Sequence, residues 1–294
     1  MSPTLETVLK TTSDRVKCVD FHPEKPFLLA GLHSGDVQVW DYETKELVKS
    51  IKVGDKPVRA VKFIPRMNWI VVGSDDGLIR IFSFVHFELL RQFAAHSDFI
   101  RSLAVHPTLP FVISASDDKT VKVWNWASDW KIEETFEGHG HYVMHVTINP
   151  HATGIVASAS LDKTVKIWQL GAERADPLKT LGGHSEGVNC VVFQEGSRVV
   201  TGSDDRKVKV WDWKEDDYSA NDVYQHDHNV TCILENGSSN RIVSGSEDGS
   251  LKVWTENDGV RKFDFEGSGR VWSIAEKEGL LCIGCDNGLL VFKL

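Results

Sequence analysis

Seven times along the chain an aromatic residue closes a short run of alternating apolar and polar residues, and no other feature restricts the fold as tightly. The runs are DVQVW ending at Trp40, LIRIF at Phe82, TVKVW at Trp124, TVKIW at Trp168, KVKVW at Trp211, SLKVW at Trp254 and GLLVF at Phe292. The intervals between them are 42, 42, 44, 43, 43 and 38 residues. A period of this size marks a supersecondary unit that cannot bury its apolar face alone and must stack on its neighbours. Alternation within residues 121–124 has the period of a half-buried strand. No stretch carries a helical period, so the expected class is all-β.

The punctuation of the unit repeats with it. Six residues before the aromatic stands Asp76, Asp118, Asp162, Asp205, Asp248 or Asp286, with Ser34 in the first unit. A short carboxylate suits a tight turn because it accepts hydrogen bonds from nearby backbone N–H groups. A loop histidine precedes three units (His96, His139, His184), and His226 is a shifted equivalent. A Val or Ile then opens the first strand: Val16, Val58, Ile100, Val143, Val188, Val230 and Val271. In four units a proline follows seven residues later (Pro23, Pro65, Pro107, Pro150), where it ends a strand because it cannot donate to the ladder. Four strands per unit at this period resemble the WD40 repeat, so a seven-bladed β-propeller is expected. The last unit offers only three strands, at 271–277, 280–285 and 289–294. Residues 5–10 would supply the fourth, closing the ring by pairing the two ends of the chain and removing its open edges. Residues 1–294 therefore read as a single domain.

Composition narrows the function. A net charge of −9 argues against nucleic-acid binding, which draws its affinity from a basic surface. No run approaches the roughly 20 apolar residues that span a bilayer, and the first twelve residues lack the apolar core of a signal peptide. Five cysteines, an odd number, exclude a complete disulfide framework, and a reducing cytosolic setting is expected. No phosphate loop, nucleophile elbow or zinc-protease motif is present, so no enzyme, cofactor or metal is expected. The Cys282/Cys285 pair has redox spacing, but on a strand residues three apart face opposite ways. Cys18, Cys190 and Cys232 each follow the strand-opening valine by two residues, which marks a small packing position.

The informative positions are those the repeat leaves free. Directly after the strand-opening residue come Lys17, Arg59, Arg101, Met144, Asn189, Thr231 and Trp272, with Arg15 just before Val16. Repeat symmetry sets these side chains at one height on one rim of the central channel. Just before the turn Asp come His33, Asp75, Asp117, Leu161, Asp204, Glu247 and Cys285, and Asp98 lies two residues before Ile100. Cations thus crowd the first three blades beside carboxylates. Lys17, Arg59 and Arg101 either neutralise Asp75, Asp98 and Asp117 internally, or they face a ligand that carries an anion and cations a few residues apart. Protonated His33 would add a cation, and a pH response between about 5 and 8 is the expectation for it.

The stretches SDRVKCVDFHP, KPVRAVKFIPRMNWIVVGSDD, AAHSDFIRSLAVHPTLPFVISASDD, EGHGHYVMHVTINP and SASLDKTVKIWQLG resemble the N-terminal propeller of the coatomer β′ (β′-COP) family of COPI vesicle coats, densely through blades one to four and thinly beyond Leu181. The resemblance implies a non-catalytic receptor for C-terminal dilysine signals, KKxx or KxKxx, on membrane cargo returning from the Golgi to the ER. By position, Arg15, Lys17 and Arg59 would grip the terminal carboxylate, Asp98 and Asp117 would take the lysine, and Arg101 and Tyr142 would line the groove. His33 departs from the tyrosine common in this family and matches the related α-COP propeller, which bears on the KKxx versus KxKxx preference. The resemblance also implies a longer native chain, other coatomer subunits (α-COP above all) as partners, and a cytoplasmic location on Golgi membranes and COPI vesicles without insertion into lipid. A peptide adaptor of another kind, or a scaffold whose rim charges cancel, shares the same fold.

Overall fold

The computed structural model describes residues 4–11, 15–215, 222–236, 241–255, 259–265 and 267–293. Among these residues 28 strands form seven four-stranded antiparallel sheets. Blade one runs outward through Val16–Phe21, Phe27–Leu32, Asp36–Asp41 and Glu46–Lys52. Blades two to six repeat this order from inner strands Val58–Ile64, Ile100–Val105, Val143–Ile148, Val188–Phe193 and Val230–Asn236. Blade seven takes Val271–Lys277, Leu280–Cys285 and Gly288–Lys293 from one end of the chain and its outermost strand, Thr4–Leu9, from the other. That strand lies one residue earlier than the sequence suggested, and Leu294, included in the expected last strand, lies outside the described residues. The inner strand of blade seven packs on that of blade one as every other neighbouring pair does, so the ring is closed. The only helical elements among the described residues are single 3-10 turns at Pro65–Met67 and Trp126–Ser128.

Every inner strand carries a β-bulge at the same place. Val16 pairs with Leu32 and Cys18 with Gly31, so Lys17 has no residue opposite it. The ladder skips in the same way at Arg59, Arg101, Met144, Asn189, Thr231 and Trp272. A bulge leaves the extra residue unpaired and re-aims its side chain.

The residue before each bulge makes the contact between blades. Val16, Val58, Ile100, Val143, Val188, Val230 and Val271 are all fully buried. A Cβ built on Gly202 would come within 2.5 Å of a Val230 methyl, one on Gly245 within 2.7 Å of Val271, one on Gly73 within 2.6 Å of Ile100 and one on Gly284 within 2.7 Å of Val16. Only glycine on the second strand admits the branched side chain of the next blade so closely; blades three and four use Ala115 and Ala159 at the matching position. Cys18, Cys190 and Cys232 are cross-strand partners of Gly31, Gly202 and Gly245. All five thiols are free and buried, and burial pushes those of Cys18 and Cys232 up to about 12. They are packing groups.

The loop histidines and turn aspartates tie each blade across its own thickness. In blade three Trp124 Nε1–H donates to Ser114 Oγ at 2.9 Å, the Ser114 hydroxyl bonds His96 Nε2 at 2.7 Å, and His96 Nδ1 bonds Asp118 at 2.7 Å. Burial lowers the His96 pKa, so the ring is neutral and its Nδ1–H donates to the carboxylate. Blades four and five repeat the chain through His139, Ser158, Trp168 and Asp162, and through His184, Thr201, Trp211 and Asp205. Blade six keeps it with a longer His226–Asp248 contact of 3.7 Å. Burial acts to raise these carboxyls, but hydrogen bonds from His96 and Thr120, or from His139 and Thr164, hold Asp118 and Asp162 well below the usual range, and the His184 bond brings Asp205 to about 2. Ser–His–Asp is also the order of a hydrolytic triad, yet Ser114, Ser158 and Thr201 are 0 % exposed, so no substrate reaches them. Blade two lacks the loop histidine, and buried Arg80 bonds Ser74 and Asp76 in its place.

Two outcomes follow. Gly245→Ala forces a Cβ against Cys232 and Val271 and should destabilise the ring by about 1–3 kcal/mol in urea unfolding, with Val271→Ala restoring part of the loss in the double variant. Folded-state pKa values below the unfolded ones mean that the unfolded chain binds protons first, so stability rises with pH across the interval. Burial holds His226 at about 4, and the urea midpoint should therefore fall as pH drops from about 6.5 to 4. It should fall again below about pH 4 as Asp118, Asp162 and Asp205 are protonated; His226→Gln should shrink the first step, to which buried His145, also held at about 4, contributes as well, and leave the second.

Candidate functional site

All seven bulge side chains converge. Lys17, Arg59, Arg101, Met144, Asn189, Thr231 and Trp272 line one cavity of ≈ 340 Å³ at one mouth of the channel. Arg15, His33, Asp75, Asp98, Asp117 and Tyr142 stand outside that lining. Arg15 and Tyr142 immediately precede strand-opening residues, Asp98 lies one residue further back, and His33 follows the second strand of blade one. The bulge residues thus share one register position in their blades and one cavity, as repeat symmetry suggested.

Two of the three bulge cations are closed into ion pairs within their own blades. Arg59 chelates Asp75, with Nη2 to Oδ2 at 2.8 Å, and Arg101 chelates Asp117, with Nε to Oδ1 at 2.7 Å. The Asp75 and Asp117 side chains are 4 % and 3 % exposed. Phe99, a residue the sequence reading passed over, stands between the pairs with the Arg59 and Arg101 guanidiniums 5.7 and 5.5 Å from its ring. Its N–H is held by the Asp98 carboxylate at 2.8 Å, and its carbonyl accepts from Asp117 N–H at 3.0 Å. Asp98 itself is half-buried and forms no ion pair among the described residues.

Lys17 is held differently. Its ammonium sits 3.1 Å from the centroid of the Trp272 ring. Burial lowers its pKa, and Arg59 and Arg15 lower it further while Asp286 opposes them, leaving it at about 7. Asp286, at the position of the turn aspartate in blade seven, is turned toward this group. It accepts from Trp272 Nε1 at 2.8 Å, Arg15 Nε at 3.1 Å and Arg270 Nε at 3.0 Å. A signal for this was present in the sequence: unit seven has no loop histidine to claim its turn aspartate. The His33 pKa is lowered by burial first, then by Arg15, Lys17 and Arg59, so any charge it gains comes below about pH 6.5, in the lower part of the interval expected from sequence.

The far side of the mouth is polar but satisfied. Asn189 donates to Asp204 at 2.7 Å and to the Val230 carbonyl at 2.9 Å, and His228 pairs with Glu247 at 3.1 Å. Tyr142 is 36 % exposed and makes an edge contact with His141. Among the described residues no group of three or more His, Cys, Asp or Glu side chains could hold a metal ion, and no helix is long and apolar enough to cross a membrane.

A closed ring of seven four-stranded blades with a charge-patterned channel mouth defines a β-propeller that presents its variable residues on bulges. The chain belongs to the WD40 family: the WD domain, G-beta repeat, matches residues 3–41, 45–83, 87–125, 130–169, 175–212 and 220–255. It is 53 % identical over 228 residues to coatomer subunit beta'-2 of Arabidopsis thaliana, covering 76 % of this chain and 24 % of that protein. It is 58 % identical over 200 residues to a probable coatomer subunit beta' of Caenorhabditis elegans (67 % and 20 %) and 53 % identical over 188 residues to coatomer subunit beta' of Rattus norvegicus (64 % and 21 %). The chain thus spans no more than about a quarter of the length of these relatives.

Removing one member of a buried pair leaves an uncompensated charge. Arg59→Ala should therefore lower stability by about 3 kcal/mol in urea unfolding, and the Arg59→Ala/Asp75→Ala double variant should recover most of it.

Proposed function

We propose that this propeller is the cargo-binding domain of a COPI coat subunit, recognising peptides that end in a dilysine signal and a free carboxylate. The observation that carries this reading is the pair of groups on one rim that form no ion pair among the described residues. Lys17 is held by a π face, with the like charges of Arg59, Arg15 and Arg270 outweighing Asp286, and Asp98 has no cation partner among the described residues. A ligand with a terminal carboxylate and an ammonium a few residues away satisfies both. Arg15 would strengthen the anion side, with Arg59 adding less because it is already paired with Asp75, and Tyr142 would flank the cation side. Asp117 and Arg101 are already paired, so they would act mainly by shaping the groove and setting its potential. Similarity to coatomer beta' subunits supports the same reading and extends it to retrieval from Golgi to ER, with other coatomer subunits such as α-COP as partners and recruitment to the cytoplasmic face of Golgi and vesicle membranes through them.

Charge-assisted hydrogen bonds contribute about 1.5–3 kcal/mol each, and ordering a short peptide offsets much of that. Affinity of order micromolar, about −8 kcal/mol, is expected, with weakening by salt. A scaffold reading draws support from the two closed Arg–Asp pairs, and it predicts no peptide binding at all. An adaptor for internal peptides predicts binding that does not need the free carboxylate.

A calorimetric titration separates the three. A free-acid dilysine peptide should bind, while its C-terminal amide and its Lys→Ser form should bind at least about tenfold more weakly. Asp98→Ala should abolish the preference for lysine. Because Lys17 loses its charge above about pH 7, in a setting of Arg15, Arg59, Arg270, Asp286 and Trp272, affinity for the free acid should fall as pH rises from 7 to 9. Lys17→Arg should flatten that profile. Equal affinity for acid and amide would exclude the dilysine reading.

A further inference from the structure

The cations of the mouth are held in two chemically distinct ways. Arg59 and Arg101 are each chelated by a carboxylate, which fixes the guanidinium and offsets much of its charge in the same act. Among the described residues Lys17 has no carboxylate within ion-pair distance, and left to itself its four-carbon chain would swing into solvent, away from Arg15 and Arg59, which repel it. The indole of Trp272 prevents this. An aromatic face attracts a cation through its quadrupole, which carries no net charge. The protonated ammonium is thereby localised without being neutralised by a carboxylate.

The indole is itself fixed. Its N–H donates to Asp286 Oδ1 at 2.8 Å, and the Arg270 guanidinium lies 4.8 Å from its ring. Asp286 is in turn anchored by Arg270, through both its Nε and its backbone N–H, and bonds Arg15 from the opposite end of the sequence. Lys17 and Arg15 belong to blade one, and Trp272, Arg270 and Asp286 to blade seven. The anion-facing half of the site therefore straddles the junction where the ring closes.

Resting on the dilysine reading, we infer that Trp272 is a positioning residue that confers carboxylate selectivity: it aims the Lys17 ammonium at the ligand's C-terminal anion without neutralising it. Trp272 need not touch the peptide. Its contribution is the preference for a free acid over an amide, and the lysine-binding side near Asp98 is independent of it.

The test compares the intact chain with its Trp272→Phe and Trp272→Leu variants, using one dilysine peptide as free acid and as amide. In the wild type the acid should bind at least about tenfold tighter. In Trp272→Leu that ratio should shrink to about threefold or less, with amide affinity unchanged. Trp272→Phe, which keeps a π face and loses the bond to Asp286, should restore most of the ratio. In the unliganded protein the Lys17 ε-methylene proton resonances should be shifted upfield by the ring current, and should return to ordinary positions in Trp272→Leu. An undiminished ratio in Trp272→Leu, or ordinary Lys17 resonances in the wild type, overturns this inference while the dilysine reading stands. Parallel weakening of acid and amide with a lowered melting temperature assigns Trp272 a structural role only and overturns it likewise. A wild type that does not distinguish acid from amide overturns the dilysine reading and this inference together.

Discussion

The skipped rung in each inner strand is the constraint from which the rest of the molecule follows. A regular strand would send Lys17 and its six counterparts into the ladder's alternation, with a partner opposite. The bulge frees that residue, and the buried Val or Ile before it fixes where the freed side chain points, because the branched group is pressed against a glycine or alanine of the preceding blade. Packing and presentation are thus adjacent residues of one device, repeated round the ring. A propeller of this kind can vary the bulge residue from blade to blade without touching its core, so charge can be distributed round the mouth almost independently of stability.

That independence ends where charges bury each other. Arg59 with Asp75 and Arg101 with Asp117 are nearly enclosed pairs, and enclosed pairs shape a surface more than they attract to it. The neighbouring Lys17 and Asp98 form no ion pair among the described residues. A site composed of both kinds of group has rigid walls and two live ends. The internal His–Asp networks contribute rigidity by another route, fixing the loops that lead into the inner strands of blades three to six.

Much of this was legible in the chain itself. The aromatic period, the turn aspartates and the missing fourth strand at the end gave the architecture and its closure to within one residue, because those features answer to local turn chemistry and strand alternation. The shared height of Lys17, Arg59 and Arg101 followed from repeat symmetry alone. What symmetry could not reveal was which partner each would take. Spacing along a strand does not distinguish an arginine chelated by the residue before the turn from a lysine resting on a tryptophan 255 positions away. Phe99 and Arg270 escaped notice because each flanks a strand-opening residue at a position where the repeat has no fixed preference. Asp286 was read as one more turn residue because its departure depends on a histidine that is absent.

The Arg15–Asp286 bond joins residues 271 positions apart in sequence, and Thr4–Leu9 waits equally long for Gly288–Lys293. During synthesis, then, Arg15 and Lys17 have nothing to lean on until the final blade has left the ribosome and clasped the first. Contacts of such sequence separation form late, since loop closure must precede them. A propeller without its seventh blade lacks Trp272 and so the oriented lysine, and the placement of Lys17 therefore reports that the whole ring has been assembled.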